Sequence, residues 1–164
     1  IAAADHADIG NLIGGQTVAV NKGLLRPQNL HGELAGFELD RAAARKGVVQ
    51  DILLELNAAG EESKSGFSPD EVASAASHAA LLGSIRVRGL MAIPPICLSG
   101  EENRPYFTLM SQLFIDNGRK KYDNVRMDFL SMGMSGDYMT AISCGANMVR
   151  VGSAIFGARV YPAR

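Results

Sequence analysis

No tryptophan occurs among the 164 residues, and phenylalanine and tyrosine bring the aromatic share to only 6%. That profile disfavours a β-sandwich, and with 47% hydrophobic residues it disfavours a disordered chain as well. Only two cysteines are present, Cys97 and Cys144. They are too few and too far apart for a disulfide scaffold or a metal site, so a reducing compartment, the cytoplasm, is expected. His6, His31 and His78 are scattered without cysteine or acidic partners at ligand spacing, which predicts no metal centre. No apolar run approaches the length of a membrane span, and no basic segment followed by an apolar one opens the chain, so neither insertion nor secretion is expected. Charge of either sign is not in excess, the formal net charge being −1. The densest basic cluster, Arg119-Lys120-Lys121, follows Gly118 and reads as a solvated helix end rather than a nucleic-acid footprint. No Gly-x-Ser-x-Gly elbow occurs, so a hydrolase triad has no support.

What is abundant is aliphatic sequence with 18 glycines, in a length suited to one domain over residues 1–164. Short β-branched runs alternate with stretches of helical period, the signature of βαβ units and a parallel sheet. Strands are predicted at about 17–21, 51–57, 86–92, 127–131 and 148–151, and helices at about 33–46, 69–82, 101–117 and 137–144. Ser68 followed by Pro69 and Glu71 marks a helix start, and Gly83, Gly118 and Gly145 stand where helices should stop. Parallel α/β architectures place ligand sites at the carboxyl ends of their strands, which here run into loops at 57–66, 94–100, 131–137 and 152–153.

Two of those strand ends combine glycine and serine: Ser131-Met-Gly-Met-Ser-Gly-Asp137 and Val149-Arg-Val-Gly-Ser-Ala-Ile-Phe-Gly157. Each alone reads as a turn or as an anion site. Together, as the last two such loops of the chain, they match the place where a (β/α)8 barrel builds its phosphate site. Lys22 follows the apolar run Val18-Ala19-Val20, either as a solvated strand-end lysine or as an amine able to form a Schiff base with an aldehyde. Arg150 interrupts Met148-Val149-Arg150-Val151, where a guanidinium must face solvent or be paired in a barrel mouth.

These residues resemble a known family. Leu-Glu-Leu-Asn at 54–57, Gly-Glu-Glu-Ser-Lys-Ser-Gly-Phe at 60–67 and Arg-Gly-Leu-Met-Ala-Ile-Pro at 88–94 are similar to stretches of the pyridoxal-phosphate homeostasis proteins, relatives of the N-terminal domain of alanine racemase. So are Leu-Ser-Met-Gly-Met-Ser-Gly-Asp at 130–137 and Val-Arg-Val-Gly-Ser-Ala-Ile-Phe-Gly-Ala-Arg at 149–159. The resemblance implies a (β/α)8 TIM-type barrel with pyridoxal 5′-phosphate (PLP) held as a Schiff base. Lys22 takes the cofactor lysine's role, since Val-Ala-Val-Asn-Lys resembles the family's Val-Ala-Val-Ser-Lys. By the same resemblance Ser135, Gly152 and Ser153 hold the phosphate, Arg150 faces the pyridine nitrogen, and Asn57, Met91 and Met132 line the pocket.

The family pattern is interrupted after Lys22. The expected Thr-Lys-Pro, Phe-Gly-Glu-Asn-Tyr and His-Phe-Ile-Gly motifs are absent, so about two βα units are expected to be missing from the sequence as it stands. With an arginine at the ring nitrogen and no second catalytic base visible, the expected function is a PLP-binding protein of vitamin B6 homeostasis that buffers the cofactor or passes it to apo PLP-dependent enzymes. The alternative is a PLP-dependent amino-acid racemase-like enzyme. A monomer or weak dimer is expected, with no nucleic-acid or membrane partner.

Overall fold

The computed structural model describes residues 18–20, 38–62, 64 and 66–157, with only the backbone for 18–20 and 38. Five strands form one parallel sheet in chain order: β1 (Val18–Val20), β2 (Gln50–Leu56), β3 (Ile85–Ala92), β4 (Val125–Met134) and β5 (Met148–Arg150). Between and after them come α1 (Glu38–Lys46), α2 (Val72–Ala79), α3 (Arg104–Gly118), α4 (Tyr138–Ser143) and α5 (Ser153–Phe156). Strand, helix and parallel strand repeating in sequential order is part of the expected (β/α) barrel, with β1 pairing directly to β2 through Val18 opposite Ile52.

The face of the sheet turned to the helices is apolar, as a face covered by helices requires. Ile52, Leu54 and Leu56 of β2 pack with Val87, Leu90 and Ala92 of β3 and with Leu130 and Met132 of β4 in the core that also holds Val72, Ala76, Phe107 and Met110 of the helices. The opposite face, toward the barrel interior, is layered. At its lower level Arg88 bridges Asp51 at 2.7 Å and Asp128 at 2.6 Å. Leu53 and Met91 pack above with Phe129, over whose ring the Arg88 guanidinium lies at 5.2 Å. Glu55, Met91 and Ser131 then stand at one level across three strands, since β2 pairs Glu55 with Met91 and β3 pairs Met91 with Ser131.

Local chemistry sets the element ends. The Glu71 carboxylate accepts the backbone N–H of Ser68 at 2.8 Å and its hydroxyl at 2.9 Å, and Pro69 begins the short 3-10 turn that leads into α2. Before α3 the Glu102 carboxylate likewise accepts the Ser99 N–H, at 3.1 Å, while the Ser99 hydroxyl accepts the Glu101 N–H at 3.4 Å. Gly89 interrupts the register between β3 and β4, where an added Cβ would fall 1.8 Å from the carbonyl oxygen of Phe129. Only glycine permits that approach.

All five predicted strands are present within two or three residues of the expected limits. The predicted helix at 33–46 is seen from Glu38 onward, residues 33–37 lying outside the described ones. Two details differ. β4 runs on through Met134, so Ser131 is a strand residue rather than a loop residue, and a further single helical turn, α5, follows Gly152. Four residues are too few to leave a helical period in the sequence. Among the described residues no helix is long and apolar enough to cross a membrane.

Candidate functional site

At the carboxyl edge of the sheet a cavity of about 510 Å³ opens between the loops that follow β2, β3, β4 and β5. Its polar wall comes from Ser135, Gly136, Asp137, Arg150, Gly152 and Ser153, and its apolar wall from Ile93, Pro94, Pro95, Ile96 and Met134. Sequence separation between the two polar loops is large, but parallel pairing of β4 with β5 sets Met134 beside Arg150 and so brings both loop starts together.

The Arg150 side chain is half buried, and among the described residues its hydrogen bonds go to neutral oxygens. Nη1 donates to the Ser131 hydroxyl at 2.5 Å and its carbonyl at 3.2 Å, while Nη2 donates to the Ala92 carbonyl at 2.9 Å. Burial lowers its pKa from the usual arginine value, and the negative charges of Glu55 and then Asp137 oppose that shift. Arginine starts so high that it keeps its charge. Glu55 is only 9% exposed, and its Oε2 has no hydrogen-bond partner among the described residues. Burial pushes its carboxyl above the usual range, with Arg150 opposing the rise.

The two glycine-serine loops are joined through one hydroxyl. Ser135 Oγ accepts the backbone N–H of Gly152 at 3.1 Å and of Ala154 at 3.2 Å. Gly136 and Gly152 both border the cavity, and a Cβ on either would meet only open space. Two glycines, two serines and Arg150 therefore border one cavity.

Of the eight residues expected to form the site, Ser135, Arg150, Gly152 and Ser153 border this cavity. Lys22 lies outside the described residues. Met91 is buried on the interior face beneath the cavity, at the level of Ser131. Met132 is placed elsewhere: alternation along β4 turns it away from Ser131 into the helix-facing core, at 0% exposure. Asn57 is spent on its own loop, donating to the carbonyls of Glu61 at 2.7 Å and Lys64 at 3.2 Å and accepting the Glu61 N–H at 3.1 Å.

Three further residues stand at or beside the site. Lys64 reaches the cavity with its ammonium on Glu61 at 2.7 Å and on the Pro94 carbonyl at 3.1 Å, tying the loop after β2 to the loop after β3. Cys97 lines the cavity as a thiol, its pKa raised by burial and then by the carboxylates of Asp137 and Glu102. Glu55 carried a readable signal, since a carboxylate inside Ile-Leu-Leu-Glu-Leu is as anomalous as Arg150 inside its own strand.

The family profile described as alanine racemase, N-terminal domain, matches residues 31–160. The pyridoxal phosphate homeostasis protein of Aquifex aeolicus is 40% identical over 124 residues, which are 76% of this chain and 54% of that protein. The chain thus spans about half the length of that curated relative. A solved structure described as an unknown protein from Bifidobacterium adolescentis superposes with a TM-score of 0.73 at 32% identity, over 95% of this chain and 59% of the other. PipY of Synechococcus elongatus superposes over 96% of this chain at 23% identity, with TM-scores of 0.76 for its form without PLP and 0.67 for its form with PLP bound, covering 69% and 68% of PipY.

Proposed function

Because the chain belongs to the alanine racemase N-terminal domain family, as a relative of proteins named pyridoxal phosphate homeostasis protein, we propose that it binds pyridoxal 5′-phosphate and acts as a B6 carrier. The observation that carries this reading is the meeting of Arg150 with Ser135, Gly152 and Ser153 around one cavity.

The donor set fits the cofactor. Hydroxyls and unshielded backbone suit a phosphate, a fixed guanidinium suits a pyridine nitrogen, and the flanking Ile93, Pro94 and Met134 suit an aromatic ring. When bound, the cofactor supplies an aldehyde that condenses with a lysine amine, and Lys22 is the residue proposed to hold it. Ser135 orients the loop of Gly152 to Ala154, whose segment presents the Ser153 hydroxyl. Arg150 donates hydrogen bonds and accepts none, so it holds a facing ring nitrogen in its unprotonated form. That form is a poor electron sink, which favours storage and delivery to apo-enzymes over amino-acid chemistry.

Borohydride reduction followed by peptide mapping tests the reading. A pyridoxyl group fixed on Lys22 is the expected result, and labelling confined to Lys64 or Lys120 would overturn the assignment. Interconversion of D- and L-alanine by the purified chain would instead mark a racemase-like enzyme.

A further inference from the structure

We propose that Asn103 is a positioning residue of this site: its buried amide clamps the phosphate-side turn to the loop after β3, and the turn depends on it for its shape. The phosphate role of that turn rests on the cofactor reading above, whereas the clamp itself stands on the structure alone.

Asn103 closes the 3-10 turn before α3 and is 1% exposed. Its Nδ2 donates to Asp137 Oδ2 at 2.8 Å and to the Pro95 carbonyl at 3.0 Å, with the Cys97 sulfur at 3.1 Å. Pro95, Cys97 and Asp137 all border the cavity, so one amide stands behind two of its walls. Asp137, 9% exposed, uses its other oxygen to accept the Met134 N–H at 2.7 Å, and its own N–H donates to the Met134 carbonyl at 3.1 Å. The turn holding Ser135 and Gly136 is therefore pinned from both ends by Asp137. Packing leaves little slack behind it, because a Cβ on Gly100 would come within 3.0 Å of the Asp137 Cα.

A carboxylate this buried needs its donors. Removing one of two leaves an oxygen unsatisfied in a site that solvent barely reaches. Relief comes by turning Asp137 outward, and the turn moves with it. Ser135, whose hydroxyl positions the loop from Gly152 to Ala154, is carried along. The path from Asn103 to the anion site thus runs through three named hydrogen-bonded steps without Asn103 touching a ligand.

The test uses the full chain and Asn103→Ala, titrated separately with pyridoxal 5′-phosphate and with pyridoxal, which lacks the phosphate. Affinity for the phosphorylated form is expected to fall about tenfold while that for pyridoxal holds, the equivalent of the displaced turn losing one hydrogen bond to the phosphate. Equal losses for both would mean general loosening and would overturn the proposal, as would an unchanged preference for the phosphate. Where Asn103→Ala folds poorly, Asn103→Asp and the exchange Asn103→Asp with Asp137→Asn decide. The single change sets two carboxylates face to face, and the exchange restores the bond between positions 103 and 137 but not the one to Pro95, so the phosphate preference should drop in the first and recover in part in the second. Hydrogen exchange in the absence of ligand separates the two readings. Faster exchange confined to the amides of residues 134–137 in Asn103→Ala supports the clamp even if the wild type binds neither compound, which would sink the cofactor reading alone. Unchanged exchange there would sink the clamp.

Discussion

Arg150 reaches across the whole width of β4 to donate to the Ala92 carbonyl on β3, at 2.9 Å. With its second nitrogen on Ser131, the guanidinium is held in place by backbone and hydroxyl before any ligand arrives. Such a side chain is oriented rather than free, which is what a binding group needs in order to lose little entropy on contact.

Replacing it should therefore cost stability as well as binding. Arg150→Met removes the donor of a buried carbonyl and hydroxyl, and each orphaned polar group costs about 1–3 kcal/mol. Lysine offers no planar fork and should not span Ser131 and Ala92 together. Thermal and urea unfolding of both variants measures the loss, and a methionine variant as stable as the wild type would show that these hydrogen bonds contribute nothing.

The fold was readable because apolar runs and glycine stops report local structure, and β2 to β5 obey those signals to within a few residues. The polar pole of the site was readable for a different reason. Ser135, Arg150, Gly152 and Ser153 lie on loops or strand ends where their residue types have no packing explanation. Met132 shows the limit: a motif fixes which residue is present, but only alternation along an actual strand decides which face it takes, and Ser131 rather than Met132 took the interior. Asn103 was invisible for want of any local pattern. Its partners Pro95 and Asp137 lie eight and thirty-four residues away, and only the folded sheet brings the latter to it.

Gly133 has φ +90°, and a Cβ there would meet the Ala141 Cβ at 2.5 Å and the Tyr138 Cα at 3.0 Å. Backbone strain and collision act together, so Gly133→Ala should destabilise the chain by about 2–4 kcal/mol. Gly136, which meets nothing within 4 Å, is the control, and alanine there should stay within about 0.5 kcal/mol. Denaturant midpoints of the pair make the comparison, and equal midpoints would contradict the close packing of α4 on β4.

Glu55 should make stability depend on pH. Its folded-state pKa is raised by burial, more than Arg150 lowers it, so the folded chain holds this proton more tightly than the unfolded one. The contribution is then fully present below the unfolded carboxyl value and is lost as pH rises through the folded value. Glu55→Gln cannot ionise and should lose that slope. Relative to the wild type, the variant should gain stability at about pH 8 and lose the advantage toward about pH 5. A difference in melting temperature that stays constant over this range would mean that Glu55 ionises as freely in the folded chain as in the unfolded one.

The two serines of the anion site should separate structure from binding. Ser135 holds the N–H groups of Gly152 and Ala154, so Ser135→Ala should cost about 1–2 kcal/mol of stability along with affinity. Ser153 is exposed at the cavity and lies on the segment that Ser135 orients. Its hydroxyl should matter only once an anion is present. Losing one hydrogen bond to a charged group costs roughly 1.5–3 kcal/mol, so Ser153→Ala should weaken pyridoxal 5′-phosphate binding by about ten- to a hundredfold and leave the melting temperature of the free chain unchanged. Fluorescence titration beside thermal melting distinguishes the cases. If Ser153→Ala binds as tightly as the wild type, the phosphate is held elsewhere; if it melts lower without ligand, the hydroxyl belongs to the scaffold instead.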